Sequence, residues 1–195
     1  MLGPVLICHK KDEHSVKLLC DSIISKYPGL KNHLKVLGAD GENSILNQTC
    51  NEFTSALLLM CTKHVKDNIK QKLPNIEEHE KKEMINDLFG TMNVKGVVDS
   101  IDMDEFDRRM KTFYSKWEVQ RNCGAFLKYL RTHKEDILKF HVTEGVVKAA
   151  EICDSPQRFY NNNMESINNL IKKRQDNRKV DLYSFSKEYQ TLADC

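Results

Sequence analysis

The sequence is poor in the features that mark repeats, linkers and membrane spans. Its 195 residues include only 4 prolines and 8 glycines, too few for a collagen-like or linker-dominated chain. The longest apolar run is Ala56 to Cys61, far short of the roughly 20 residues a helix needs to cross a bilayer. No secretory leader is visible: the run Val5 to Cys8 passes directly into His9-Lys10-Lys11. A surplus of one charge is missing as well. The 30 Lys+Arg and 28 Asp+Glu leave a net charge of +2, which excludes a uniformly basic nucleic-acid coat but leaves room for a local basic strip. The 7 cysteines are odd in number and contain no C-x-x-C, a pattern that fits reduced thiols better than a disulfide framework. The expectation is an intracellular chain, nuclear or cytoplasmic, with no membrane partner.

What is present suffices for a core. Hydrophobic residues make up 40% and charged residues 30%, as in one ordinary domain or a domain carrying an insertion. Three short apolar runs read as buried strands: Pro4 to Cys8, Leu34 to Gly38 and Ala56 to Cys61. Helical patterns separate them. Val16, Leu19, Cys20, Ile23, Ile24 and Tyr27 share one helix face, with Asp12 able to cap its start and Pro28-Gly29 to stop it. Ser44 is placed to cap a second helix carrying Ile45, Leu46, Thr49 and Phe53. Strand–helix–strand–helix–strand predicts an α/β sheet covered by helices.

After Cys61 the strand signals stop. His64 to Leu73 reads as a helix closed by Pro74, and Glu77 to Phe89 as an amphipathic one. Val94, Val97, Val98 and Ile101 keep helical spacing. So do Met103, Phe106, Met110, Phe113, Tyr114 and Trp117, and the apolar residues from Phe126 to Val147. Further helices are expected from Asn162 and over Leu182 to Leu192. The chain should be mostly helical overall.

Four groups of residues could carry chemistry. Asp40, in Gly38-Ala39-Asp40-Gly41-Glu42, follows the second strand, where ligands gather in open α/β sheets. It reads either as a D-G turn or as a carboxylate for Mg²⁺. Cys61 and His64 form a C-x-x-H at a strand-to-helix junction. They supply two of the four ligands of a zinc site; no second pair stands at ligand spacing, so zinc is not expected. Glu165 reads as the N3 partner of an Asn162 N-cap or as a metal ligand, two roles in competition for one carboxylate. Basic residues cluster at Lys63, Lys66, Lys70 and Lys72, and again at Lys172, Lys173, Arg174, Arg178 and Lys179. They read as solvated helix faces or as phosphate contacts. The acidic run Asp99, Asp102, Asp104, Glu105 and Asp107 lacks EF-hand spacing and reads as a helix start.

Taken in order, several blocks resemble one family. They are Gly3 to Ile7, His9-Lys10-Lys11, Pro28-Gly29-Leu30, Leu37 to Glu42, Leu58 to Asn68, and Asn162-Asn163-Met164-Glu165-Ser166-Ile167-Asn168. Together they resemble the Mutator-like element (MULE) transposase domain over nearly the whole chain. The resemblance implies an RNase H-like fold and a D-D-E active site. Asp40 matches the second Asp, Glu165 the Glu, and Cys61 and His64 the C-x-x-H after the second Asp. It implies Mg²⁺ or Mn²⁺ held by Asp40 and Glu165, DNA as partner, and phosphate contacts from Lys63, Lys66, Lys172, Lys173, Arg174 and Arg178.

The same resemblance divides the chain. Residues 1–76 correspond to an RNase H-like α/β part that lacks its first β-hairpin, leaving three strands with flanking helices. Residues 77–155 correspond to a large helical insertion, and 156–195 to C-terminal helices carrying the Glu. The family's first Asp lies on the absent hairpin; Asp12 and Asp21 follow the first strand and cannot replace it. The expected function is a transposase-derived DDE-type domain, ancestrally cutting and joining DNA in transposition with Mg²⁺, and inactive alone. The alternative is a non-catalytic DNA- or protein-binding module domesticated from a transposase. Strand edges bared by the missing hairpin would either pair with another chain or close against each other.

Overall fold

The structure is a computed structural model. It describes residues 12–40, 43–151, 158–160, 166, 169–170, 172–173 and 181–193. It is 66% helix and 5% strand, so the mostly helical expectation holds. Among the described residues the strands form one small parallel sheet.

Helix α1 (Glu13–Lys26) starts where Asp12 leaves the extended conformation and accepts a hydrogen bond from the Ser15 amide at 2.9 Å. This satisfies one of the amide donors that a helix start leaves without a partner. The helix ends at Tyr27, before Pro28-Gly29. A short helix α2 (Leu30–His33) leads into strand β1 (Val36–Ala39). Helix α3 (Asn43–Glu52) then crosses to strand β2 (Leu57–Met60). Ser44 lies inside α3 rather than before it, because helical geometry begins one residue earlier, at Asn43. Buried Val16 and Cys20 of α1 and Phe53 after α3 pack together, with Ile24, Leu34 and Ile45 around them. Lys17 of α1 bridges to Glu52 at 3.1 Å.

The two strands run parallel, with Val36 opposite Leu57 and Ala39 opposite Met60. The ladder extends one step past each end: Leu57 N–H donates to Lys35 O at 2.8 Å and Cys61 N–H to Ala39 O at 2.9 Å. Parallel pairing requires a crossover between the strands, which α3 supplies. The third expected strand, Pro4 to Cys8, lies outside the described residues.

Beyond β2 come α4 (Thr62–Lys70), α5 (Glu78–Phe89), α6 (Met103–Trp117), α7 (Gly124–His133), α8 (Glu135–His141), α9 (Glu144–Ala149) and α10 (Leu182–Ala193). The acidic run does start a helix. Asp102, the N-cap of α6, accepts from Glu105 N–H at 2.7 Å, and Glu105 accepts from the Ile101 N–H just before the cap at 2.9 Å, so two amide donors at the helix start are satisfied. Residues Val94 to Ile101 depart from the expected helix. They form only a 3₁₀ turn over Val97–Asp99, with both valines still buried. Gly90, at φ +70°, and Gly96 approach so closely that a Cβ on Gly96 would lie 2.2 Å from Gly90 N. Asp99 then takes the Gly96 amide at 2.6 Å. Apolar spacing alone cannot distinguish such a stitched turn from a helix.

One core runs through this block and into the sheet. Met60, Val65 and Ile69 join Met84, Leu88, Phe89, Phe106, Met110, Trp117, Leu130 and Leu138 in a single buried cluster. A second, smaller cluster seats Val146, Val147 and Ala150 against Leu59, with Val36, Leu57 and Phe159 at its margin. His141 Nδ1 lies 3.0 Å from Leu58 O and ties α8 to β2. Among the described residues, no helix is long and apolar enough to cross a membrane.

Candidate metal-binding site at the strand ends

Parallel strands release their next residues side by side at the same end of the sheet. Asp40 follows buried Ala39 and keeps its side chain 45% exposed. Cys61 follows Met60, is fully buried, and forms the N-cap of α4. His64 stands in the first turn of α4 with its side chain 36% exposed. The register Ala39–Met60 therefore brings three ligand-type groups from two chain segments to one point. A carboxylate oxygen of Asp40, Sγ of Cys61 and a ring nitrogen of His64 all lie within 4.8 Å of one another. His64 Nδ1 is 3.6 Å from Asp40 Oδ1.

The segment 158–160 closes in on the same strand ends. Thr62 N–H, at the start of α4, donates to Phe159 O at 3.0 Å. The Phe159 ring fills the space over Gly38, two residues before Asp40. Arg158 pairs with Asp99 at the 3₁₀ turn, with both side chains mostly buried. The chain thus leaves the sheet after α4, runs through the helices and returns beside β1 six residues before Glu165.

The expected site residues fare differently. Asp40, Cys61 and His64 meet. Glu165, Arg174 and Arg178 lie outside the described residues. Lys172 and Lys173 are exposed on helical backbone, and Lys63 is exposed on α4. Lys66 is drawn to the core instead. Its Nζ sits 5.3 Å from the centre of the Phe89 ring, and burial, with Lys70 and Arg158 nearby, pulls its ammonium below the ordinary lysine range.

Two features escaped the sequence reading. The first is the joining of Asp40 to the C-x-x-H, which were read as separate motifs; two strands ending in Asp and in C-x-x-H were the available signal. The second is the Arg158-Phe159 anchor, signalled only by an aromatic pair before Asn161. An open groove of about 610 Å³ between α5 and α6 is rimmed by Lys95, Arg108, Arg109 and Lys116. Its carboxylates engage two of those cations: Glu105 holds Arg109 at 2.8 Å and Asp87 holds Lys116 at 2.6 Å.

The chain matches no protein-family profile, no curated protein and no solved structure.

Proposed function

We propose that the chain is a transposase-derived domain of the Mutator-like D-D-E type, and that its role as it stands is to bind DNA at the carboxyl ends of β1 and β2. The observation that carries this reading is the return of residues 158–160 to β1. A helical block inserted between the second Asp and the Glu must bring the chain back beside that Asp, and Phe159 docks on Gly38 with Asp40 two residues on. On this reading β1 and β2 belong to an RNase H-like sheet.

Asp40 suits a hard divalent cation, being an exposed carboxylate at a strand end. Glu165 would be its partner ligand. A bound Mg²⁺ would activate water or a 3′-hydroxyl and stabilise the leaving oxygen in attack on a phosphodiester. The chain's own contribution is positional: Lys63, Lys172 and Lys173 hold phosphate oxygens, and the Phe159 anchor sets the start of the Glu165 segment. The second reading is a domesticated, non-catalytic module that binds DNA or protein.

The test uses labelled terminal-inverted-repeat duplex. Binding that weakens with added salt, with no strand cleavage in Mn²⁺, is the expected result. Absence of binding at low salt would remove DNA from the proposal. Cleavage abolished by Asp40→Ala would restore the enzyme.

A further inference from the structure

The C-x-x-H supplies only two ligands, and the fold adds a third. In a tetrahedral zinc site with Zn–S near 2.3 Å and Zn–N or Zn–O near 2.0–2.2 Å, neighbouring ligand atoms lie roughly 3.3–3.6 Å apart. The His64 Nδ1 to Asp40 Oδ1 separation is 3.6 Å. All three ligand atoms lie within 4.8 Å of one another. Cys61 projects from fixed backbone, and His64 from the first turn of α4. Cys61 N–H is held by Ala39 O at 2.9 Å, and Cys61 O accepts from Val65 N–H at 3.1 Å. Such preorganisation lowers the cost of assembling a site.

The donor set also selects the ion. Mg²⁺ takes oxygen ligands and keeps its waters, whereas a thiolate and an imidazole suit borderline-soft cations. We propose that Asp40, Cys61 and His64 form a binding site for a zinc-class divalent cation, with the fourth position open on the solvent side where Asp40 is exposed. Binding forms a metal–sulfur bond and releases the Cys61 thiol proton to solvent, while His64 binds as neutral imidazole. The site holds Asp40, so a zinc-class ion and a hard cation compete for the same carboxylate. The proposal stands on these three residues alone and does not rest on the transposase reading.

The test titrates the reduced, chelator-treated full chain with Co²⁺ in the absence of DNA, so its failure is separate from any failure to bind or cut DNA. A thiolate-to-cobalt charge-transfer band with intense visible d–d bands should saturate at one equivalent. Zn²⁺ should displace the ion and excess Mg²⁺ should not. Cys61→Ser should abolish the charge-transfer band. Asp40→Asn and His64→Gln, at partly exposed positions, should keep the band and weaken binding by at least about 10-fold, since losing a ligand costs no less than losing the outer hydrogen bond that orients it. Cys50→Ser, an exposed thiol elsewhere, should change nothing. Circular dichroism of each variant shows that the helices persist. No band in the native chain, a band that survives Cys61→Ser, or affinity unchanged in both Asp40→Asn and His64→Gln would overturn the proposal.

Discussion

Phe159 occupies the space in which any side chain at residue 38 would begin: a Cβ on Gly38 would meet Phe159 Cζ at 2.2 Å and Cε2 at 2.7 Å. The glycine is needed for this close approach of ring to strand. The contact fixes where the chain re-enters beside Asp40, since Phe159 O also receives the Thr62 amide.

Gly38→Ala should therefore destabilise the protein by about 1–3 kcal/mol, the usual cost of overpacking. Phe159→Ala should relieve most of that cost. A double-mutant cycle read by urea denaturation checks it: the double variant should be clearly more stable than the sum of the two single losses predicts. Strict additivity would mean that ring and strand are uncoupled.

Tyr114 gives the fold an alkaline limit. Its hydroxyl donates to Glu135 at 2.6 Å. Burial first, and then the Glu135 carboxylate, push its ionisation far above the ordinary value near 10.0. A neutral tyrosine is thus favoured in the folded state. Its contribution to stability is fully present below pH 10.0 and is lost as pH rises above that value, because the unfolded chain can then ionise. Tyr114→Phe should cost about 1 kcal/mol near neutrality, where a hydrogen bond is lost. It should also flatten the alkaline fall in stability. Denaturation curves on both sides of pH 10.0 measure the two effects.

The lysines should separate into two kinds. Lys172→Ala and Lys173→Ala, at exposed helical positions, should weaken DNA binding and each reduce the salt slope by about 1. Lys66→Ala should leave that slope nearly unchanged and lower the unfolding midpoint, since the Lys66 stem and ammonium cover Phe89. Salt titrations of binding alongside thermal melts distinguish the two behaviours.

Parts of this structure are readable from sequence because local signals agree with tertiary ones. Helix α6 follows its apolar spacing from Met103 to Trp117, and Asp102 and Glu105 mark its start chemically. Helix α1 likewise begins at its Asp12 cap. Val94 to Ile101 mislead because buried Val97 and Val98 satisfy helical spacing while Gly90, Gly96 and Asp99 build a turn. The candidate site is legible only in pieces. Asp40 and the C-x-x-H each announce themselves, but their meeting depends on the parallel register of Ala39 and Met60. The alternation of apolar residues limits a register, but which residues of two strands joined through a helix stand opposite each other is decided by tertiary packing.

The buried cluster that joins Met60, Val65 and Ile69 to Met84, Leu88 and Phe89 also governs how this architecture can change over evolutionary time. A helical block with its own closed core could be lost or exchanged as a cassette, leaving the sheet behind. Here the sheet and α4 have their apolar faces covered by the block, so deleting the block would strip the cover from the residues that carry Cys61 and His64. The two parts share one cooperative fate, and a lineage that keeps the strand ends must keep the helices as well.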